Sequence, residues 1–206
     1  MDKDEVWRHI HEQRRALAAH LATLDADQWE QPSLCSGWTV RDVAAHVIST
    51  PQIGLGETLR LAPSLLRGYN QAIFRDVKRR GLATPDAILA DYERFDGSRH
   101  RVPLTTVVDP LIDVLVHTQD MLRPLGVEHH MPPDAAAVAA DRARLAAPLF
   151  GTARLVRTHR LVATDTDWAR GRGKVVEAPM EELLMLVTGR AAEAGLATGP
   201  DRRTTK

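Results

Sequence analysis

The sequence predicts a mainly helical protein: an up-and-down helical bundle over residues 1–128, then a small α+β module over residues 129–206. Three observations carry this. Before Gly126, apolar residues recur at helical spacing between short links, the pattern of a bundle. The stretch DPLIDVLVHTQDMLRP (109–124) is apolar nearly all round, which makes it a buried helix. After Gly151 the runs become short and β-prone before one last helix.

Bulk composition narrows the function. The 206 residues are enough to bury a real core. Formal net charge is zero, so no field draws in nucleic acid or an anionic membrane. The single cysteine, Cys35, excludes an internal disulfide and a cysteine-based zinc knuckle. No apolar run suffices to span a bilayer, and the opening MDKDEVW lacks the character of a signal peptide. The expected compartment is a reducing cytoplasm.

Residues 4–24 form the first helix. Trp7, Ile10, Arg14, Leu17, Leu21 and Leu24 recur as one stripe, with Arg14 the single polar intrusion. His9, His11 and His20 read as surface or rim residues. Asp25–Ser36 is a loop holding Trp29 and Pro32. In PSLCSGWTVRDVAAHV, Thr39 and Asp42 form a capping-box variant that opens a helix at Val40. Val40, Val43, Ala44 and Val47 make its apolar face, and His46 sits at the edge, about 60° from Val43. Cys35 precedes this helix with no His or Lys adjoining it in sequence, so it reads as a packed thiol and not a nucleophile.

Residues 52–62 are ambiguous. Their Gly54-x-Gly56 follows no strand and is no dinucleotide fingerprint. Pro63 opens a helix to about Arg80, with Leu66, Tyr69, Ile73, Phe74 and Val77 inward and Gly81 ending it. Thr84-Pro85-Asp86 starts the next, with Ile88, Leu89, Tyr92 and Phe95 facing the core until Gly97. SRHRVPLTTVV is irregular, and Arg99, His100 and Arg101 read as solvated. Asp109 is the expected N-cap of the central helix, Pro110 its first residue and Pro124 its end. Beyond Gly126, Pro133-Asp134 opens an alanine-rich helix to 149. RLVRTHRLVAT, DWARG and KVVEA are β-prone, and a helix runs from Met180 to Thr188 up to Gly189. The polar tail TGPDRRTTK is expected to fray.

Asp113 and His117 lie four residues apart and share one face of the buried helix. Both need partners once water is stripped away, and a divalent metal satisfies both. His46 joins them if its helix faces theirs. Two histidines and one carboxylate with open positions suit a catalytic rather than a structural metal. The rival pair Asp42–His46 has the same spacing, but the cap already accounts for Asp42.

PSLCSGWTVRDVAAHV and DVLVHTQDMLRPLG together resemble the mycothiol-dependent maleylpyruvate isomerase-like family, within the DinB-like four-helix bundles. ATDTDWARGRGKVV and ELLMLVTGR resemble the small sterol-carrier-like C-terminal part of such proteins. The resemblance implies a metal, usually zinc, on His46, Asp113 and His117, with Asp113 standing where the characterised isomerase has Glu. It also implies a low-molecular-weight thiol such as mycothiol, activated on the metal and attacking an electrophilic small molecule as a transferase or isomerase. Arg99, Arg101 and Arg123 are candidates for binding carboxylates. The alternatives are a non-catalytic metal- or small-ligand-binding protein, and lipid carriage by the C-terminal module, which looks too short to enclose a lipid.

Overall fold

The computed structural model describes residues 1–54, 56, 69–103 and 105–190. Most of the ambiguous 52–62 stretch, the Pro63 helix start, Leu66, the Tyr69 side chain and the polar tail lie outside the described residues. The chain is mainly helical with one small sheet near its C-terminal end. It divides into two compact units, Met1–His130 and a second from Met131 onward. No helix among the described residues is long and apolar enough to cross a membrane.

The first unit is a helical bundle. Its helices are α1 (Lys3–Leu21), α2 (Ala26–Glu30), α3 (Val40–Val47), α4 (Tyr69–Arg80), α5 (Pro85–Arg94) and α6 (Val108–Leu122). Helix α6 packs against both α1 and α3, and α3 also meets α4 and α5. Local chemistry sets the starts. Asp2, Asp25 and Thr39 each close a capping box with the residue three positions on, and Thr84 Oγ1 accepts from Ala87 N. The core gathers Leu17, Leu21, Trp29, Val43, Ile88 and Met121. Each such side chain contributes about 1.5–3 kcal/mol on leaving water.

Four expectations need correction. The central helix begins at Val108, two residues after Thr106, and Asp109 is not its N-cap. Instead the Asp109 carboxylate reaches back to accept from Thr106 N and Oγ1, just ahead of the first turn. Phe74 is 43% exposed, because Ala72, Asp76 and Val77 form the inward face of α4. His9 is buried rather than at the rim. The loop after Asp25 holds a helical turn, α2, which seats Trp29 in the core.

In the second unit, α7 (Pro133–Leu145) and α9 (Met180–Val187) pack together, and α9 also meets β1 (His159–Ala163). Ala135, Ala136, Ala139, Ala140 and Ala143 are buried, and their small side chains admit close approach. The sheet has the order β2-β1-β3, with β2 at Ala169–Gly171 antiparallel to β1 and β3 at Lys174–Ala178 parallel to it. Only the second half of RLVRTHRLVAT is strand, since Ala153–Thr158 is the helix α8. Thr158 Oγ1 donates back to Arg154 O there, closing a turn that propensity alone would not choose.

Gly81 ties helix spacing to the cap of α3. A Cβ at Gly81 would lie 2.0 Å from Asp42 Oδ1. That carboxylate accepts from Thr39 N at 3.0 Å and pairs with Lys78. Gly81→Ala is therefore expected to destabilise the chain by about 1–3 kcal/mol, by displacing a buried carboxylate from its donors. Urea unfolding measures it. In an Asp42→Ala background the same change should cost much less, and strict additivity would refute the coupling.

Candidate metal centre

Helices α3 and α6 bring three residues together. Donor atoms of His46, Asp113 and His117 all lie within 4.8 Å of one another. The His46 and His117 rings meet edge to face with centroids 5.2 Å apart. Trp38 flanks both, at 5.4 Å from His46 and 6.2 Å from His117. His117 is buried, whereas His46 and Asp113 are half-buried, so Asp113 is less enclosed than its apolar neighbours suggest.

Two further residues complete the surroundings: Asp120, missed in the sequence, and Cys35, which reads there as a packed thiol. Asp120 lies one turn after His117 and is fully buried. Its Oδ2 is 2.8 Å from His117 Nδ1. The Cys35 thiol donates to the same oxygen at 3.1 Å, and its Sγ is 3.7 Å from His117 Nδ1. No histidine adjoins Cys35 in sequence, but the fold supplies one 82 residues away. The loop before α3 makes this contact possible. Leu34 N donates to the Asp120 carbonyl, Ser33 N and Oγ to the Trp38 carbonyl, and Trp38 N to the Cys35 carbonyl. Gly37 sits at φ +79 in this turn, a conformation that a side chain would strain. A search for carboxylates three residues from a candidate ligand would have found Asp120.

The donors differ electrostatically. Burial, reinforced by the neighbouring charge of His117, pulls His46 down to about 3, so its imidazole is neutral at pH 7. Burial also pulls His117 down, but the hydrogen bonds to Asp120 and Cys35 outweigh it and raise the group to about 10. With Nδ1 given to Asp120, Nε2 of His117 is the nitrogen left for a metal, which would have to displace the proton that the raised pKa keeps on the ring at neutral pH. This carboxylate–histidine arrangement is the one that fixes ring orientation in metal sites. Cys35, His117 and Asp120 also have donor atoms within 4.8 Å of one another, but their hydrogen bonds run within the group.

The arginines named as carboxylate binders are engaged elsewhere. Arg99 pairs with Asp4 at 2.6 Å on the surface. Arg101 donates to the Thr105 carbonyl, and Arg123 to Gln119 Oε1 at 2.7 Å. Asp42, the carboxylate of the rival pair, is committed to Thr39 and Lys78.

The profile of the family described as mycothiol maleylpyruvate isomerase N-terminal domain matches residues 10–118, more than half of the chain. The chain belongs to this family. A crystal structure of the mycothiol-dependent maleylpyruvate isomerase is similar over 94% of this chain and 91% of that one, with a TM-score of 0.62 at 14% identity. A histidine-to-alanine mutant of that enzyme gives a TM-score of 0.59 at 13% identity, covering 93% and 91%. At these identities the likeness concerns the fold. No curated protein matches the sequence significantly. The match to the mycothiol maleylpyruvate isomerase family takes in Cys35, His46, Asp113 and His117 but stops two residues short of Asp120.

If Asp120 orients His117, Asp120→Ala should weaken zinc binding by roughly 10–100-fold, measured with a competing chelator dye. Cys35→Ala should weaken it less, because the thiol is one neutral donor beside an intact His117–Asp120 bond. Equal effects of the two substitutions would contradict this ranking.

Proposed function

We propose that this chain is a divalent-metal-dependent enzyme of low-molecular-weight thiol chemistry, an isomerase or thiol S-transferase with mycothiol as cosubstrate. The observation that carries this reading is the convergence of His46, Asp113 and His117 within 4.8 Å in a member of this family. The donor set suits zinc: two imidazoles, one carboxylate, and one imidazole braced by a second carboxylate. His46, Asp113 and His117 would hold the ion, and with it bound the site gains a Lewis acid that lowers the pKa of an incoming thiol to give a nucleophile at neutral pH.

The chain's own residues do the remaining work. Neutral His46 offers a ring lone pair without a proton to lose. Asp113 brings the negative charge, and Asp120 fixes which face of His117 points at the site. Trp38 lies against both imidazoles and shields that side from water. Aspartate at 113, one methylene shorter than the glutamate that the family resemblance leads one to expect there, would still offer a carboxylate to the ion. Maleylpyruvate is therefore one substrate to try among several electrophiles, in a reducing cytoplasm where a thiol cosubstrate persists.

The second reading is a metal- or ligand-binding protein without turnover, and one experiment separates the two. Wild type should bind about one zinc per chain, and His117→Ala should bind it at least about a hundredfold more weakly, a loss of roughly 2.7 kcal/mol. A screen with mycothiol and electrophiles, including cis-alkene acids, should then give turnover that needs both thiol and metal. Tight zinc binding without such turnover favours the binding protein. Zinc binding by His117→Ala as tight as wild type defeats both readings.

A further inference from the structure

One charged group of the first unit has no role in the centre described above. Arg14 interrupts the apolar stripe of α1 between Ile10 and Leu17, both fully buried. Only 5% of Arg14 is exposed. Among the described residues, none accepts a hydrogen bond from its buried Nε or Nη1. The neighbouring Arg15 shows the contrast: it lies at the surface, and its Nε donates to both Asp96 oxygens at 2.9 and 3.0 Å.

A guanidinium stripped of water and left without acceptors is costly, and an apolar residue would fill the stripe with less penalty. Burial lowers its pKa, while Tyr92 and Asp113 oppose that shift. The group nevertheless stays charged, since arginine does not lose its proton in proteins. Asp113 thus lies within electrostatic reach of Arg14.

Arg14 also lines a cleft of about 330 Å³ with Arg15, Ala18, Tyr92, Phe95 and the acids Glu93 and Asp96. That volume is at the small end of what small-molecule sites occupy. Ala18, Tyr92 and Phe95 give it apolar walls, and the Tyr92 hydroxyl is already spent on the Ala44 carbonyl at 3.1 Å. Of the two lining cations Arg15 is paired with Asp96, which leaves Arg14, with Nε and Nη1 lacking an acceptor among the described residues, as the donor whose planar fork matches a carboxylate.

We propose that Arg14 anchors a carboxylate, so that this cleft binds a small organic acid with its apolar body against Ala18, Tyr92 and Phe95. As a statement of substrate class, a carboxylate-bearing electrophile, this rests on the thiol-chemistry reading above; as a binding site it stands independently of it.

The test uses the full chain loaded with zinc, with benzoate and the isosteric neutral benzamide as probes, titrated by calorimetry or ligand-observed NMR. Wild type should prefer benzoate by roughly tenfold or more, as expected for a charge-assisted hydrogen-bond pair. Arg14→Gln should abolish the preference, and Arg14→Lys should reduce it, because a point charge replaces a fork. Should Arg14→Gln fail to fold, Arg14→Lys carries the test, and an unchanged preference there overturns the proposal. Equal binding of the two probes by wild type overturns it as well. So does a preference that survives Arg14→Gln yet vanishes in His117→Ala, since the carboxylate would then sit on the metal. An Arg14-dependent preference in a chain without thiol-dependent turnover would uphold the carboxylate site while removing the enzymatic reading.

Discussion

The first unit depends on one buried hydrogen bond, His117 Nδ1 to Asp120 Oδ2 at 2.8 Å. Both side chains sit on α6 where every residue from Val114 to Leu122 is buried. A carboxylate with no exposure must find donors within the protein. Asp120 takes one from the preceding turn of its own helix and one from the Cys35 thiol. Its backbone carbonyl takes a third from Leu34 N. The loop that carries Cys35 and Leu34 is thereby pinned to α6, and it runs directly into the Thr39 cap of α3. The position of His46 in the last turn of α3 follows from that anchor. Satisfying one buried acid thus fixes the register of two helices and brings together the imidazoles they carry.

Sequence periodicity and caps sufficed for the local half of this fold. Thr39-x-x-Asp42 and Thr84-Pro85 announce helix starts through bonds between near neighbours, and those bonds form. What failed was non-local or competitive. Asp109 has the residue type of a cap but reaches back to Thr106 instead, because the helix begins one residue before it. Phe74 has the character of a core residue, yet the inward face of α4 is taken by Ala72, Asp76 and Val77, and Asp76 binds Arg79 and Arg80 at 2.7 and 2.8 Å. Hydrophobicity alone gives no warning that an acid with two arginine partners will turn inward in place of an aromatic ring.

The candidate site was legible to the same extent. Asp113 and His117 are visible as a pair because helical spacing sets them on one face of an apolar helix. His46 is visible only as an edge residue, and family resemblance joined it to the other two. Cys35 was visible only as a packed thiol, because its partners lie 82 and 85 residues away and no local pattern encodes that distance. Arg14 was visible as a flaw in an otherwise apolar stripe, and such flaws are where a sequence departs from the best core and function becomes the simplest reason.

Burial grades the first unit from closed to open along α6. Asp120 has no exposure and its hydrogen bonds are filled from within. His117, one turn earlier, is buried but has only one ring nitrogen committed to Asp120. Asp113, a further turn earlier, is half-buried. The three lie at intervals of three and four residues, so they climb one face of one helix. The inner end orients and the outer end remains within reach of solvent. Asp113 is thus the member nearest solvent, His117 is more enclosed and the fixed carboxylate of Asp120 is innermost. That gradient is what a braced metal ligand set with an accessible side requires. A core packed only for stability would have no reason to run three ionisable side chains from solvent to full burial along a single apolar helix.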